Sequence, residues 1–162
     1  MLSCCLTESV EAVEVITNNS VEQSSLTTLQ LRRIFTMRQT YWANNNGITI
    51  FVLPSQHALH KKFSKELLEI YPYQLERIWN KLTYSGLGVA PTVVDSPEAL
   101  IQAVVKTPGS IGYADKKTLA PFIDKKVQDT EIKKAEGSVT EPKGTVEKNI
   151  DKGVVHVVNI KD

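Results

Sequence analysis

The stretch Ile48-Thr49-Ile50-Phe51-Val52-Leu53-Pro54-Ser55-Gln56-His57-Ala58-Leu59-His60-Lys61-Lys62-Phe63 decides the fold. Its first six residues form a near-continuous apolar run, which suits a β-strand buried on both faces. Pro54 stops the strand because it donates no amide, and Ser55 can cap a helix. Leu59, Phe63, Leu67 and Ile70 follow at helical spacing, which predicts a helix to about Tyr71, broken at Pro72. A doubly buried strand feeding an amphipathic helix is a unit of the α/β layered architectures.

The flanking sequence repeats this alternation. Upstream, Val13-Glu14-Val15-Ile16-Thr17 is a short β-branched strand and Asn18-Asn19-Ser20 a turn. Ser24 or Ser25 can cap a helix from Leu26 to about Phe35, whose Leu26, Leu29, Arg33 and Ile34 give an apolar stripe with a basic edge. Downstream, Leu75, Ile78, Trp79 and Leu82 mark the core-facing stripe of a further helix, and Thr92-Val93-Val94 is extended. Ser96-Pro97-Glu98 combines a cap, a first-turn proline and an acid near the positive end of the dipole, so a helix starts there. Thr107-Pro108-Gly109 is a turn, and Ser110 to Ala114 is a strand. Pro108 and Gly109 fix that turn while Ile111 and Tyr113 pack, and Trp42 and Trp79 read as packing residues.

Composition changes after Asp115. Residues 115–152 hold nine lysines against eight acids, and 137–149 has few apolar residues, so 116–152 reads as a charged insert or linker whose first part can be helical. Val154 to Ile160 is a strong closing strand, and 153–162 is expected to rejoin the sheet of the domain formed by 13–115. At the other end, Leu2 to Leu6 looks like the tail of an apolar signal segment, and Val10-Glu11-Ala12 places small residues at the −3 and −1 positions of a cleavage site. Residues 1–12 therefore read as a truncated signal-peptide remnant, with a cytoplasmic N-terminal tail as the alternative.

Several function classes find no support. A formal net charge of +1 gives no field for nucleic acid or an anionic membrane, and no run approaches the ~18 apolar residues of a membrane span. Cys4 and Cys5 are adjacent and cannot easily pair, and no Cys/His spacing suits a metal. His57 and His60 lie at i, i+3 and read as a surface pair, not as a metal site. No Ser/His/Asp set in recognisable motif context, nucleophilic cysteine or phosphate loop ahead of a lysine is present, so the reading is a binding protein without cofactor, not an enzyme.

Two motifs carry a resemblance. Leu26-Thr27-Thr28-Leu29-Gln30-Leu31-Arg32-Arg33-Ile34-Phe35-Thr36, then Tyr41-Trp42, then Asn46-Gly47-Ile48, resembles the "leucine-x-x-isoleucine-phenylalanine … tryptophan" stretch of the phosphate-binding proteins of ABC uptake systems. Thr107-Pro108-Gly109-Ser110-Ile111-Gly112-Tyr113 is similar to that family's "threonine-proline-glycine-(alanine or serine)-isoleucine-glycine-tyrosine" motif. The resemblance covers about Val13 to Asp115 and implies an α/β fold of the type 2 periplasmic-binding class. A single lobe is expected, a mixed sheet flanked by helices, in a secreted, periplasmic bacterial protein with phosphate or another small anion as ligand.

In that family a helix N-terminus after a strand holds the anion through free amides and the helix dipole. Here the place is Ser55, Gln56 and His57, with Asn19 and Ser20 as further tentative contacts in the loop after the first strand. The family pattern arginine-serine-aspartate-glycine-serine-glycine-threonine, aligned back from Phe63, puts Leu53 at the arginine, Ser55 at the aspartate, His57 at the second serine and Leu59 at the threonine, with a one-residue slip that sets Ser55 at a serine as the alternative; the arginine and glycines are absent in both. Without the arginine and glycines the charge-assisted donors of a tight phosphate site are missing, so weak anion binding is expected. The alternative is an interaction module of the cell envelope, with an envelope protein as partner, that kept the fold and lost the ligand.

Overall fold

A computed structural model describes residues 12–123 and 155–161. Ten elements follow in the order β1 (Val13–Asn18), β2 (Ser25–Thr27), α1 (Thr28–Phe35), β3 (Thr49–Val52), α2 (Ala58–Glu66), α3 (Pro72–Tyr84), β4 (Thr92–Val93), α4 (Pro97–Lys106), β5 (Ser110–Asp115) and β6 (Val155–Lys161). Residues 116–123 are also helical. The rest of the expected insert lies outside the described residues, as does the expected signal remnant up to residue 11.

The strands form one mixed sheet in the order β2-β6-β1-β5-β3-β4. β1 is antiparallel to both neighbours, β5 and β6, whereas β2 runs parallel to β6, and β3 parallel to β5 and β4. Five strands therefore point one way around a single reversed strand. The closing strand returns to an interior position of the sheet, between β2 and β1, where Val155 and Val158 are buried.

Alternation along β5 sets the layers, because successive residues face opposite sides of a sheet. Gly112 faces α4: a Cβ there would lie 2.5 Å from Leu100 Cδ2 and 3.1 Å from Val104 Cγ2, so only glycine admits the helix this close. Tyr113 faces the other layer, stacked on Phe63 of α2 with ring centroids 4.0 Å apart and tilted against Phe35 of α1 at 6.3 Å. Trp79 of α3 closes that layer by donating its indole N–H to Phe35 O at 2.7 Å.

Three local expectations are corrected. Leu26 does not begin a helix: Ser25–Thr27 pairs with Asn159–Lys161, and α1 starts after it with Thr27 as N-cap. A long-range strand partner outcompetes the local helical periodicity. The helix after Pro54 ends at Glu66, not near Tyr71. There Ile70 N–H donates to Ser64 O at 3.0 Å, Ser64 Oγ donates to Ile70 O, and Glu69 takes φ 51°, which closes the turn before Pro72 opens α3. Ser55 is not the cap of α2; that position belongs to His57.

Candidate functional site

Strand direction concentrates helix starts at one edge of the sheet. β2 leads into α1, β3 into α2, β4 into α4, and β5 into the helix of residues 116–123. All four strands point the same way, so four helix N-termini share the edge formed by their C-terminal ends. That is where unpaired amides and positive dipole ends collect, and where open α/β sheets bind ligands.

Each of these starts is capped by its own chain. Thr27 Oγ accepts from Gln30 N–H at 3.2 Å, and Gln30 Oε1 accepts from Thr27 N–H at 3.0 Å. Ser96 Oγ accepts from Ala99 N–H at 3.1 Å, and Asp115 Oδ2 from Thr118 N–H at 3.2 Å. At α2 the cap is an imidazole: His57 Nδ1 accepts from Leu59 N–H at 3.2 Å. Asp115 and Glu98 place negative charge at two of the four starts, whereas the first turn of α2 carries no acid. The α1 and α2 starts are therefore the two of the four without an acid, and of these α2 follows the doubly buried strand β3.

The loop into α2 is a tight turn, with His57 N–H donating to Pro54 O at 2.9 Å. This turn delays the helix by two residues relative to Ser55, which is why His57 caps it. Ser55 and His57 are half-buried and Gln56 is exposed. Because Nδ1 of His57 accepts, the proton of the neutral ring sits on Nε2, which is then a donor.

A buried polar chain supports the loop from below. Leu53 N–H donates to Tyr113 Oη at 2.9 Å, and Tyr113 Oη lies 2.5 Å from His60 Nδ1. The tyrosine hydroxyl accepts from the amide and has its O–H left to donate to His60 Nδ1, an arrangement that places the ring hydrogen of neutral His60 on Nε2. That Nε2 is buried and has no hydrogen-bond partner among the described residues. The surface histidine pair expected from spacing is thus corrected: His60 is fully buried between Trp79 and Tyr113. Burial pushes its pKa down to about 4, opposed by the Glu76 charge and reinforced by His57. Burial likewise pushes the Tyr113 hydroxyl up. Both groups are neutral at pH 7, as an apolar setting requires.

Asn19 and Ser20 do not join Ser55, Gln56 and His57. β1 is the reversed strand, so its C-terminal end lies beside the start of β5 and of β3, whereas the α2 loop follows the end of β3. The length of β3 between them is about 10 Å at ~3.3 Å per residue. At that far end Ser20 Oγ accepts from Gly109 N–H at 2.8 Å, and Asn19 Oδ1 bonds to His156 Nε2. Asn18 is the larger polar feature there: its Nδ2 donates to Val104 O and Val105 O, each at 2.8 Å. Gly109 takes φ 72°, and Trp42 donates its indole N–H to Gly109 O at 2.8 Å, so the Thr107–Tyr113 motif is held as packing and turn. On α1, Arg32 donates to Leu68 O at 2.6 Å and pairs with Glu69, binding the helix to the turn after α2. Among the described residues no group of three or more His, Cys, Asp or Glu side chains could hold a metal ion. No described helix is long and apolar enough to cross a membrane.

No family profile matches the chain, and no curated protein matches it. Solved structures do. The chain is similar to PstS from Borrelia burgdorferi, with a TM-score of 0.54, 15% identity and coverage of 93% of this chain and 47% of that one. It is similar to a possible phosphate binding protein from Planctomyces limnophilus, with a TM-score of 0.56, 13% identity and coverage of 94% and 42%. An ABC-type phosphate transport receptor from Vibrio cholerae matches with a TM-score of 0.52, 15% identity and coverage of 67% and 42%. The fold is thus that of phosphate ABC transporter substrate-binding proteins. The chain spans less than half the length of each of these structures.

Proposed function

We propose that this chain is a periplasmic, solute-binding-like protein that takes a small oxyanion of the phosphate class, weakly, at Ser55, Gln56 and His57. The observation that carries the reading is the convergence of four helix N-termini on one sheet edge, with an acid-free first turn at α2. Its fold neighbours include an ABC-type phosphate transport receptor, which makes phosphate the first anion to test. The amides of Ser55, Gln56 and Ala58, the Ser55 hydroxyl and the His57 Nε2–H are the donors on offer, the His57 amide being taken by Pro54 O. Asn19 and Ser20 have no share in this site.

Weakness follows from the same residues. Leu53 stands where the family pattern has arginine, so no guanidinium supplies a bidentate, charge-assisted contact. His57 already takes the Leu59 amide, which removes one donor from the helix start. The protein acts by binding and not by catalysis.

Thermal unfolding with phosphate, against sulfate and chloride at matched ionic strength, tests this. A ligand at ~100 times its Kd stabilises the fold by about 2.7 kcal/mol, so a site of about 1 mM Kd gives a clear phosphate-dependent rise at about 100 mM. Equal melting temperatures in all three salts would reject the reading.

A further inference from the structure

We propose that the start of α2 is an acid-operated latch, in which protonation of His57 and His60 opens the turn from Leu53 to His60 while the sheet stays folded. Both histidines lie within one helical turn, and both act as acceptors through Nδ1. His57 Nδ1 accepts from Leu59 N–H at 3.2 Å, and His60 Nδ1 accepts from the Tyr113 hydroxyl at 2.5 Å. An imidazolium has two donors and no acceptor, so a proton on either Nδ1 deletes the bond that ring makes.

At His60 the loss reaches the loop. Tyr113 Oη accepts from Leu53 N–H at 2.9 Å, so the tyrosine ties down the chain that enters the turn, and through His60 the first turn of the helix that leaves it. A proton on His60 Nδ1 sets an N–H against the tyrosine O–H across the same short contact. The hydroxyl can receive that donor only by turning its own hydrogen away, toward rings of Phe35 and Phe63 that offer no acceptor of comparable strength.

The charge is as badly placed as the proton. His60 is fully buried, and in the first turn of α2 a cation meets the positive end of the helix dipole. The titratable groups that face it are Tyr113 from β5, Glu76 from α3 and His57 from the entering loop, and of these only Glu76 favours the charged ring. Burial outweighs Glu76 and holds the pKa at about 4. Lifting the first turn of α2 relieves both faults by bringing the ring to water. The strand pairing of β1, β5 and β3 uses neither imidazole, so the sheet has no bond to lose in that step. Opening displaces Ser55, Gln56 and His57, so an anion held there would leave on acidification; the latch itself needs no anion and stands on the two acceptor bonds.

Two-dimensional NMR of the full chain in phosphate-free buffer, stepped from about pH 7 to about pH 4, tests this. The amides of Leu53, Leu59 and Lys61 should move or broaden together with the ring signals of the two histidines, while those of Val15, Ile16 and Ile111 in the sheet keep their native positions. The double variant His57→Asn/His60→Leu keeps a capping acceptor and an apolar core side chain but neither titrating ring, so its Leu53, Leu59 and Lys61 amides should stay in place over the same range. Still amides at Leu53 and Leu59 while the His60 ring titrates would overturn the proposal. So would the same movement in the double variant, or turn and sheet signals lost together, which is global unfolding. Should the variant fail to fold, the titration of the natural chain decides alone.

Discussion

Acidification should destabilise this protein through one residue, His60. Its ring is fully buried, accepts a hydrogen bond from Tyr113 Oη–H at Nδ1, and has a pKa lowered from 6.5 to about 4. Between those values the unfolded chain holds a proton on this histidine that the folded chain does not. Stability is then fully present above pH 6.5 and is lost as pH falls toward 4. Between pH 7 and pH 4.5 this linkage is worth on the order of 2 kcal/mol. Carboxylates titrate over the same range, so the comparison requires a variant. His60→Leu removes the titrating group and keeps an apolar side chain of similar size beside Trp79. Urea unfolding, followed by tryptophan fluorescence at the two pH values, gives the loss for each protein. The natural chain should lose about 2 kcal/mol more than His60→Leu on acidification. Parallel losses, within about 0.5 kcal/mol, would refute the reasoning, since they would mean that His60 charges in place or is reached by water.

Tyr113→Phe keeps the ring stacked on Phe63 but leaves the buried Leu53 amide without its acceptor and His60 Nδ1 without its donor, so urea unfolding should show a loss of about 2–4 kcal/mol. Gly109→Ala should cost more than about 1–3 kcal/mol, because φ is 72° and the new Cβ would stand 2.6 Å from Gly47 O; a shift in Trp42 emission would report the broken bond to Gly109 O. His57→Ala removes the α2 cap and should cost about 0.5–2 kcal/mol in thermal unfolding, and His57→Asn should restore most of it.

Much of this fold could be read in the chain itself, where local chemistry decides the outcome. Ser96-Pro97-Glu98 opens α4 as its cap and first-turn residues require. The turn at Pro108-Gly109 and the packing of Ile111 and Tyr113 follow from the residues that form them. The apolar run ending in Ile160 needed a sheet, and it joined this one between β2 and β1. What escaped the sequence depends on partners far along the chain. Ser25–Thr27 is a strand because residues 159–161 lie beside it. Asn19 and Ser20 follow a strand as ligand loops do, but β1 is reversed, and register and direction are not written in a six-residue strand. His60 carried a readable signal that was missed. It precedes Phe63 by three residues and Ser64 by four, which puts it on the buried face of α2, whereas His57 precedes the helix altogether.

The central claim is an anion site at the start of α2, and backbone amide shifts during a phosphate titration test it most directly. With chloride at matched ionic strength as reference, the amides of Ser55, Gln56, His57 and Ala58 should move together and saturate on one weak isotherm, while those of Asn19 and Ser20 stay still. Unmoved amides in the Ser55–Ala58 turn, or a saturating response centred on Asn19 and Ser20, would contradict it.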